Sequence, residues 1–220
     1  MGNGIFTRNF DNIMALTRVP VLGKNNSSVM IYSGGTSFTD GDLTLKDKKG
    51  VLYSSIKPYN SGNSYCNNLP FANIYDGIFN APVEYGSTSL YLGSNNTEES
   101  YDDTTLFSEL SIYNAVSSSY DLCNGRTVVD GIVYDEETEC FKKTIHYSFT
   151  ANRPCTVGEM GFYWGSSYVF NMAQTFLVYR RAFEEPYQLE TNDTLKIDFT
   201  VIVPANPNKP MVTEVETSVV

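Results

Sequence analysis

His146 is the only histidine in the chain, and it is the first residue to consider for acid–base chemistry. Histidine titrates near neutral pH, and hydrolase triads and many metal centres depend on a buried, oriented imidazole. His146 falls on the polar side of an alternating segment, Thr144 to Ala151, which predicts a strand with one buried and one wet face. The sequence also contains no G-x-S-x-G motif. We therefore assign no catalytic residue and expect a protein that is not an enzyme.

Glu159 is the acidic residue that stands out, because it lies between apolar residues in a predicted strand. A carboxylate in that position needs a cation or several hydrogen bonds, so the sequence favours Arg180 or Arg181 as a buried structural partner over a catalytic role. Carboxylate pairs such as Glu184-Glu185 are common in an acidic chain. Counting acids therefore leaves a glycosidase open as an alternative.

The cysteines and the acidic loop do not have metal-site spacing. The four cysteines are far apart and form no C-x-x-C pair: Cys66, Cys123, Cys140 and Cys155. Free thiols are favoured, and Cys123 with Cys140 is the best disulfide candidate, across a hairpin. The acidic run at 98–103 lacks the D-x-D-x-D-G spacing of a calcium loop and is interpreted as a solvated charge run. No metal and no cofactor is expected.

The elements that must position these side chains are concentrated between Thr144 and Pro204. Alternation, apolar runs and turn residues predict four strands joined by turns, at 144–151, 157–164, 176–179 and 195–203. Asn192-Asp193 supplies the turn before the last strand, and Pro204 ends that strand because proline cannot donate to a ladder. Four antiparallel strands are expected to make one sheet, which needs a second layer to cover it.

The same region resembles the C-terminal module of many tailed-bacteriophage virion proteins. The resemblance rests on the run Glu159–Phe162, then Leu177–Phe183, then Pro186, then Leu189–Val201. In that family an E-x-G-L/F strand precedes L-x-x-R-x-x-F-x-x-P-x-x-L-x-x-G-D-x-L-x-V-x-Y-x-I. This chain carries Asn192 where a glycine is usual, and asparagine tolerates the left-handed conformation. The resemblance implies a structural protein of a phage tail, neck or fibre attachment.

The rest of the chain combines a helix, hairpins and long loops. Apolar spacing predicts a helix from Asn9 to Arg18 that either anchors a neighbouring subunit or covers an open end of its own domain. Residues 42–56 predict a hairpin, and Asp130-Gly131 predicts a second hairpin turn. Residues 58–103 include polar, turn-rich loops with short candidate strands between them.

The predicted fold class is therefore all-β: an antiparallel β-sandwich with a short N-terminal helix and loop insertions. The expected organisation is a helical segment at 1–20, a sandwich domain at 21–204 with an insertion at about 58–103, and a C-terminal arm at 205–220. The arm, which is rich in proline and ends in an alternating segment, is expected to add a strand to another chain.

Composition and charge limit the classes of partner that the chain can bind. The net charge is −10, with 15 basic and 25 acidic residues, so the chain lacks the cations that neutralise nucleic-acid phosphates or dock on anionic lipid. No secretory signal and no membrane-spanning stretch is visible. Nucleic acid and membrane are not expected as partners. The expected location is the virion, after synthesis in the host cytoplasm.

The predicted function is a non-enzymatic virion subunit that acts by packing against itself and neighbouring tail, neck or capsid proteins, as a homo-oligomer. The candidate interface residues are Phe6, Phe10, Ile13, Met14, Trp164, Arg180, Arg181, Pro204, Pro207 and Pro210. Two alternatives remain open: a carbohydrate- or receptor-binding module on the virion surface, with tyrosines from the 58–100 loops, and a polysaccharide hydrolase.

Overall fold

The computed structural model describes residues 4–11, 20–22, 29–31, 45–46, 52–53, 87–166, 174–206 and 209–220. Within these residues the strands are, in chain order, β1 (Ile5–Phe6), β2 (Pro20–Leu22), β3 (Val29–Ile31), β4 (Leu45–Lys46), β5 (Leu52–Tyr53), β6 (Ser87–Gly93), β7 (Ile112–Tyr113), β8 (Leu122–Asn124), β9 (Val128–Val129), β10 (Val133–Asp135), β11 (Cys140–Ala151), β12 (Cys155–Ser166), β13 (Gln174–Leu189), β14 (Thr194–Pro204) and β15 (Val212–Val219). A helical turn occupies residues 8–11. No helix in these ranges is long and apolar enough to cross a membrane.

The strands form two main sheets. The first has the order β1-β13-β12-β6 and is antiparallel throughout. The second has the order β15-β14-β11-β8-β7, and β9 and β10 also pair with β11. All its pairs are antiparallel except β7 with β8. Two separate hairpins, β2–β3 and β4–β5, complete the described strands, and the second confirms the hairpin predicted at 42–56.

A single main core joins the two sheets. Phe162 on β12 and Phe199 on β14 come from different sheets, and their ring centroids lie 4.6 Å apart. Tyr179 on β13 lies edge-on to Phe199 at 5.2 Å. Alternating residues of β14, including Leu195, Ile197 and Val201, are fully buried against this layer. The period-two burial and the face-to-face packing confirm the predicted all-β sandwich.

The four strands predicted between Thr144 and Pro204 exist, but they do not form one sheet. β11 pairs with β14 over its whole length, whereas β12 pairs with β13 in the opposite layer. The short turn at 152–154 therefore carries the chain from one sheet to the other. A period-two pattern identifies a strand but not its partner, because partner choice depends on contacts far along the chain.

The N-terminal segment covers the core of its own domain. β1 pairs with β13, and Phe6 stacks on Phe10 at 4.3 Å and lies edge-on to Tyr179 at 5.4 Å. Phe10 is buried, and the Thr7 hydroxyl donates to the carbonyl of Leu177. Of the two roles left open for the predicted helix at 9–18, the described residues 9–11 take the covering one, and the rest of that helix lies outside the described residues. Ile13 and Met14 lie outside the described residues.

The C-terminal segment is part of its own sheet, which corrects the expectation of a free arm. β15 pairs with β14 from Val212 to Val219, and the amide and carbonyl of Val220 both bond Thr194. Thr213 is buried, and its hydroxyl donates to the hydroxyl of Tyr179 on the opposite sheet. The strand that was expected to pair with another chain therefore forms an edge of this chain's own sheet.

Removing residues 205–220 is expected to unfold the domain rather than leave it intact without an arm. The deletion exposes the edge of β14 that pairs with β15 and removes the cross-sheet contact of Thr213 with Tyr179. The loss in unfolding free energy should far exceed the ~1 kcal/mol of an average substitution. Thermal unfolding followed by circular dichroism measures it. A truncated chain with an unchanged melting temperature would contradict the structure.

The predicted turn at Asp130-Gly131 is wrong. β9 and β10 do not pair with each other; both run antiparallel to β11, at Val129 with Ile145 and at Val133 with Lys142. Residues 130–132 are therefore an interruption within one edge segment. The hairpin closes later, between β10 and β11, where Glu139 adopts a φ of 53°.

The expectation for the turn residue Asn192 is confirmed, whereas the candidate disulfide between Cys123 and Cys140 is wrong. Asn192 adopts a φ of 79°, so it holds the left-handed conformation expected at this position. Cys123 and Cys140 cannot form the candidate disulfide: Cys123 lies opposite Thr150, and Cys140 begins the same long strand. They are about ten residues apart along β11, or about 33 Å, whereas a disulfide needs Cα atoms within ~7 Å.

Candidate functional site

Arg180 is the centre of the most extensive charged cluster in the described part of the chain. It lies on β13 and is completely buried, as is Glu159 on β12. A buried guanidinium requires acceptors for its five N–H groups and an opposite charge. The polypeptide segment 94–109 folds over this face of the four-stranded sheet and supplies most of them.

The hydrogen bonds of Arg180 join two carboxylates and two backbone carbonyls. Its Nε donates to Glu159 Oε2 at 2.8 Å, and its Nη1 donates to Asp103 Oδ2 at 2.8 Å. Nη1 also donates to the carbonyl of Glu98 at 3.1 Å, and Nη2 donates to that of Thr97 at 2.7 Å. The planar guanidinium thus reaches acceptors in several directions, which a lysine ammonium could not do with the same geometry.

Glu159 uses its second oxygen to hold the same segment. Oε1 accepts the backbone N–H of Phe107 at 2.7 Å and that of Ser108 at 3.3 Å. The ring of Phe107 covers Arg180, with the guanidinium carbon 4.7 Å from the ring centroid. Together these contacts close the ion pair away from water and fix the segment 94–109 on the sheet.

Two glycines permit the close approach of this segment. A Cβ at Gly93 would lie 2.5 Å from Glu159 Oε1, and one at Gly158 would lie 2.6 Å from the carbonyl oxygen of Asn95. A larger residue would therefore displace the buried Glu159 side chain at position 93 or the backbone of Asn95 at position 158. The strands beneath the segment are therefore shaped to accept it.

The sequence predicted the partner of Glu159 correctly but not the rest of the cluster. Of the two arginines that the sequence offered as partner, Arg180 pairs with Glu159, whereas Arg181 bonds the carbonyl of Val215. The interpretation of residues 98–103 as a solvated charge run needs correction. Asp103 is nearly buried and bonded to Arg180, and Glu99 accepts the backbone N–H of Ala182. The sequence did contain a signal for these further anions. Arg180 lies in a strand with apolar neighbours, where a buried cation needs carboxylates around it.

His146 forms the second candidate cluster, on the outer face of the seven-stranded sheet. Its position on the wet face is confirmed, since the side chain is about one-third exposed. Nδ1 lies 2.7 Å from Asp198 Oδ1, directly opposite on β14, and Nε2 lies 3.1 Å from Asp130 Oδ2. The hydrogen bonds to Asp198 and then Asp130 raise the pKa of His146 above its usual value.

This arrangement does not resemble a catalytic triad. A general base needs one ring nitrogen free to accept a proton from a nucleophile. Both nitrogens of His146 face carboxylates, which favours the doubly protonated imidazolium. The nearby hydroxyls of Thr144 and Thr200 bond each other at 2.8 Å. The cluster therefore joins strands by charge and hydrogen bonding.

The contribution of His146 to stability should depend on pH. Its folded-state pKa lies above the ordinary 6.5, so the stabilisation is complete below pH 6.5 and is lost as the pH rises through the raised value. The difference in unfolding free energy between the native chain and His146→Asn should fall across that interval. Urea unfolding at a series of pH values measures it, and a difference that grows with pH would contradict the assignment.

The remaining reactive groups give no further centre in the residues described. Cys123, Cys140 and Cys155 are free thiols, and burial raises the pKa of Cys155, which makes it a weak nucleophile. Across the described ranges, no three of the His, Cys, Asp and Glu side chains are arranged to hold a metal ion.

The candidate interface residues lie in different environments. Arg180 is interior, so it offers no surface to a neighbouring subunit. Arg181 is partly buried, and its Nη1 donates to the carbonyl of Val215 on β15. Pro204 ends β14 and is half-buried, and Pro210 is exposed before β15. For Trp164, on β12, only the backbone is described, and Pro207 lies outside the described residues.

Comparison with known proteins does not add an assignment to this geometry. No protein family matches the chain, and no curated protein and no solved structure shows significant similarity to it.

Proposed function

We propose that this protein is a non-enzymatic structural subunit of a tailed-phage virion, in the neck, tail or fibre-attachment region, and that it acts by subunit packing. The observation that carries the proposal is the buried pair of Glu159 and Arg180. Both are charged residues of the segment that resembles the C-terminal module of virion proteins. Both are used to fix a loop to a sheet and neither is accessible to a substrate, as expected of a scaffold.

Other features of the chain support a packing role. His146, the remaining acid–base candidate, has both ring nitrogens facing carboxylates. The net charge of −10 favours protein surfaces over nucleic acid or anionic lipid as partners. The partners proposed are further copies of this chain and neighbouring virion proteins, in particles assembled in the host cytoplasm.

The test is to look for the protein in particles produced by the genome that encodes it. Mass spectrometry of gradient-purified particles should detect it at a fixed ratio to the major capsid protein. Deleting its gene should yield particles that lack a neck, tail or fibre in negative-stain electron microscopy. Purified particles without the chain, or complete particles after its deletion, would refute the proposal.

A surface binding role is the second candidate, and one observation favours it. The rings of Tyr113 and Tyr120 are stacked with centroids 4.8 Å apart, and Tyr113 is 50% exposed. An exposed tyrosine face can stack on a sugar ring or a partner side chain. Of the tyrosines expected for this role at 58–100, Tyr91 packs edge-on against Tyr163, and the others lie outside the described residues. Glycan-array binding that Tyr113→Ala abolishes would support this candidate.

A further inference from the structure

The seven-stranded sheet has an exposed apolar edge at residues 126–137, which we call the β9–β10 edge. In the part of the chain that the structure describes, β9 and β10 pair with β11 on one side and with no strand on the other. Val128 is 47% exposed, Ile132 62%, Val133 61% and Tyr134 46%. The unpaired backbone N–H and C=O groups of an edge are a template for another strand, and exposed apolar side chains beside them favour burial by a partner.

The order of residues along this edge is complementary to itself. When two copies run antiparallel about Gly131, Arg126 faces Glu136, Val128 faces Tyr134 and Val129 faces Val133, while Asp130 faces Ile132 beside the axis. Arg126 and Glu136 form no ion pair or side-chain hydrogen bond within the described part of the chain. A two-fold axis repeats each contact, so the dimer would contain this ion pair twice.

We propose that the β9–β10 edge is the interface of a two-fold symmetric homodimer, in which the edge of one chain lies antiparallel to the same edge of a second copy. The partner is a second copy rather than a different protein because the reversed segment places Glu136 opposite Arg126 and apolar residues opposite Val128 and Val129. The inference rests on the proposed packing role for its biological meaning and names one contact within it.

Gly131 is consistent with a close approach of two chains at the two-fold axis of the proposed dimer. A Cβ at this position would meet no atom within 4 Å, and its φ lies outside the left-handed region. Neither the packing nor the backbone of a single chain therefore requires glycine here. A second chain crossing at Gly131 would require a small residue, because both copies bring the same position to the axis.

The opposite edge of the same sheet is protected against self-pairing. In an antiparallel pair of β15 strands centred on Val215, Glu214 of each copy would face Glu216 of the other, and like charges repel. The carbonyl of Val215 also already accepts a hydrogen bond from Arg181 at 3.2 Å. Charged residues and a blocked acceptor are the features expected of an edge that stays free. The two edges thus differ in chemistry, and the β9–β10 edge is the one suited to a second copy.

Sedimentation velocity of the purified full chain over a concentration series tests the dimer. The native chain should show a reversible monomer–dimer equilibrium. Ile132→Asp should raise the dimer dissociation constant at least ~10-fold, because it removes an apolar side chain and sets a carboxylate opposite Asp130 of the other copy. Gly131→Val should act in the same direction by blocking the axis. Val116→Asp is the matched control, because Val116 is 81% exposed and lies outside the edge. Its dissociation constant should equal that of the native chain.

A charge exchange separates a specific contact from general damage. Arg126→Glu should weaken the dimer about 10-fold, because two pairs become repulsive, and Arg126→Glu combined with Glu136→Arg should restore it to within about 3-fold. Circular dichroism checks that each variant is folded. A native chain that stays monomeric at every concentration, a dimer unaffected by Ile132→Asp, or a double variant without recovery would overturn the proposal. These outcomes concern the isolated chain, so they leave the detection of the protein in particles as a separate result.

Discussion

Arg180→Leu is expected to lower the free energy of unfolding by about 3–5 kcal/mol, the cost of removing one partner of a buried ion pair. The substitution leaves Glu159 without its cation in a site where the side chain is completely buried, and leaves the nearly buried Asp103 without a cation too. The carbonyls of Thr97 and Glu98 also lose their donor. Urea unfolding at constant protein concentration measures the loss.

Arg180→Lys tests whether charge alone is sufficient. A lysine ammonium keeps the positive charge but cannot span the carboxylates and carbonyls that the guanidinium joins, so most of the loss should remain, at least ~2 kcal/mol. Arg153→Ala is the control. Arg153 is half-exposed and pairs with Asp121 at 2.6 Å, and a surface pair contributes only about 0–1 kcal/mol. If Arg180→Leu cost no more than Arg153→Ala, the cluster would not hold the loop as described.

Phe162→Ala should destabilise the chain by about 3–5 kcal/mol through the cavity it leaves between the sheets. The ring is 1% exposed and lies 4.6 Å from Phe199 and 6.0 Å from both Tyr147 and Tyr179, measured between centroids. It therefore contacts both layers at once. Neighbouring strands are fixed by their ladders and cannot collapse into the space.

Phe141→Ala is the matched control for the cavity. Its ring is 44% exposed at the end of the sheet, where it contacts Tyr134 at 4.9 Å. Removing a ring that is already half in water should cost less than about 1 kcal/mol. Phe162→Leu, which fills part of the space, should fall between the two alanine variants. Equal losses for Phe162→Ala and Phe141→Ala would contradict the position of the core.

The contrast between Arg180 and His146 shows how burial changes the contribution of a charged cluster to stability. Arg180 is sealed beneath a loop, so its carboxylate partners have no access to water as an alternative. His146 lies on the wet face, where water and salt screen its contacts with Asp130 and Asp198. The Arg180 cluster is therefore expected to make the larger contribution to stability, and the His146 cluster is expected to make stability depend on pH.

The sequence by itself was sufficient where a property depends on near neighbours. Alternation identified the strands around His146 and Phe199, because side chains of a strand point to opposite faces in turn. Asn192 indicated a left-handed turn residue, and its φ of 79° agrees. Glu159, an acid among apolar residues, indicated a buried cation, since an unpaired buried carboxylate is too costly.

The tertiary structure decided everything that depends on which strands meet. It placed β12 and β13 in one sheet and β11 and β14 in the other, and it put β9 and β10 one after the other along the same edge of β11. It also brought Asp103 to Arg180 across 77 residues of sequence and folded β15 back onto β14. A local pattern fixes the conformation of each strand, but strand partners follow from the closure of long loops and the burial of the common core, which no short segment encodes.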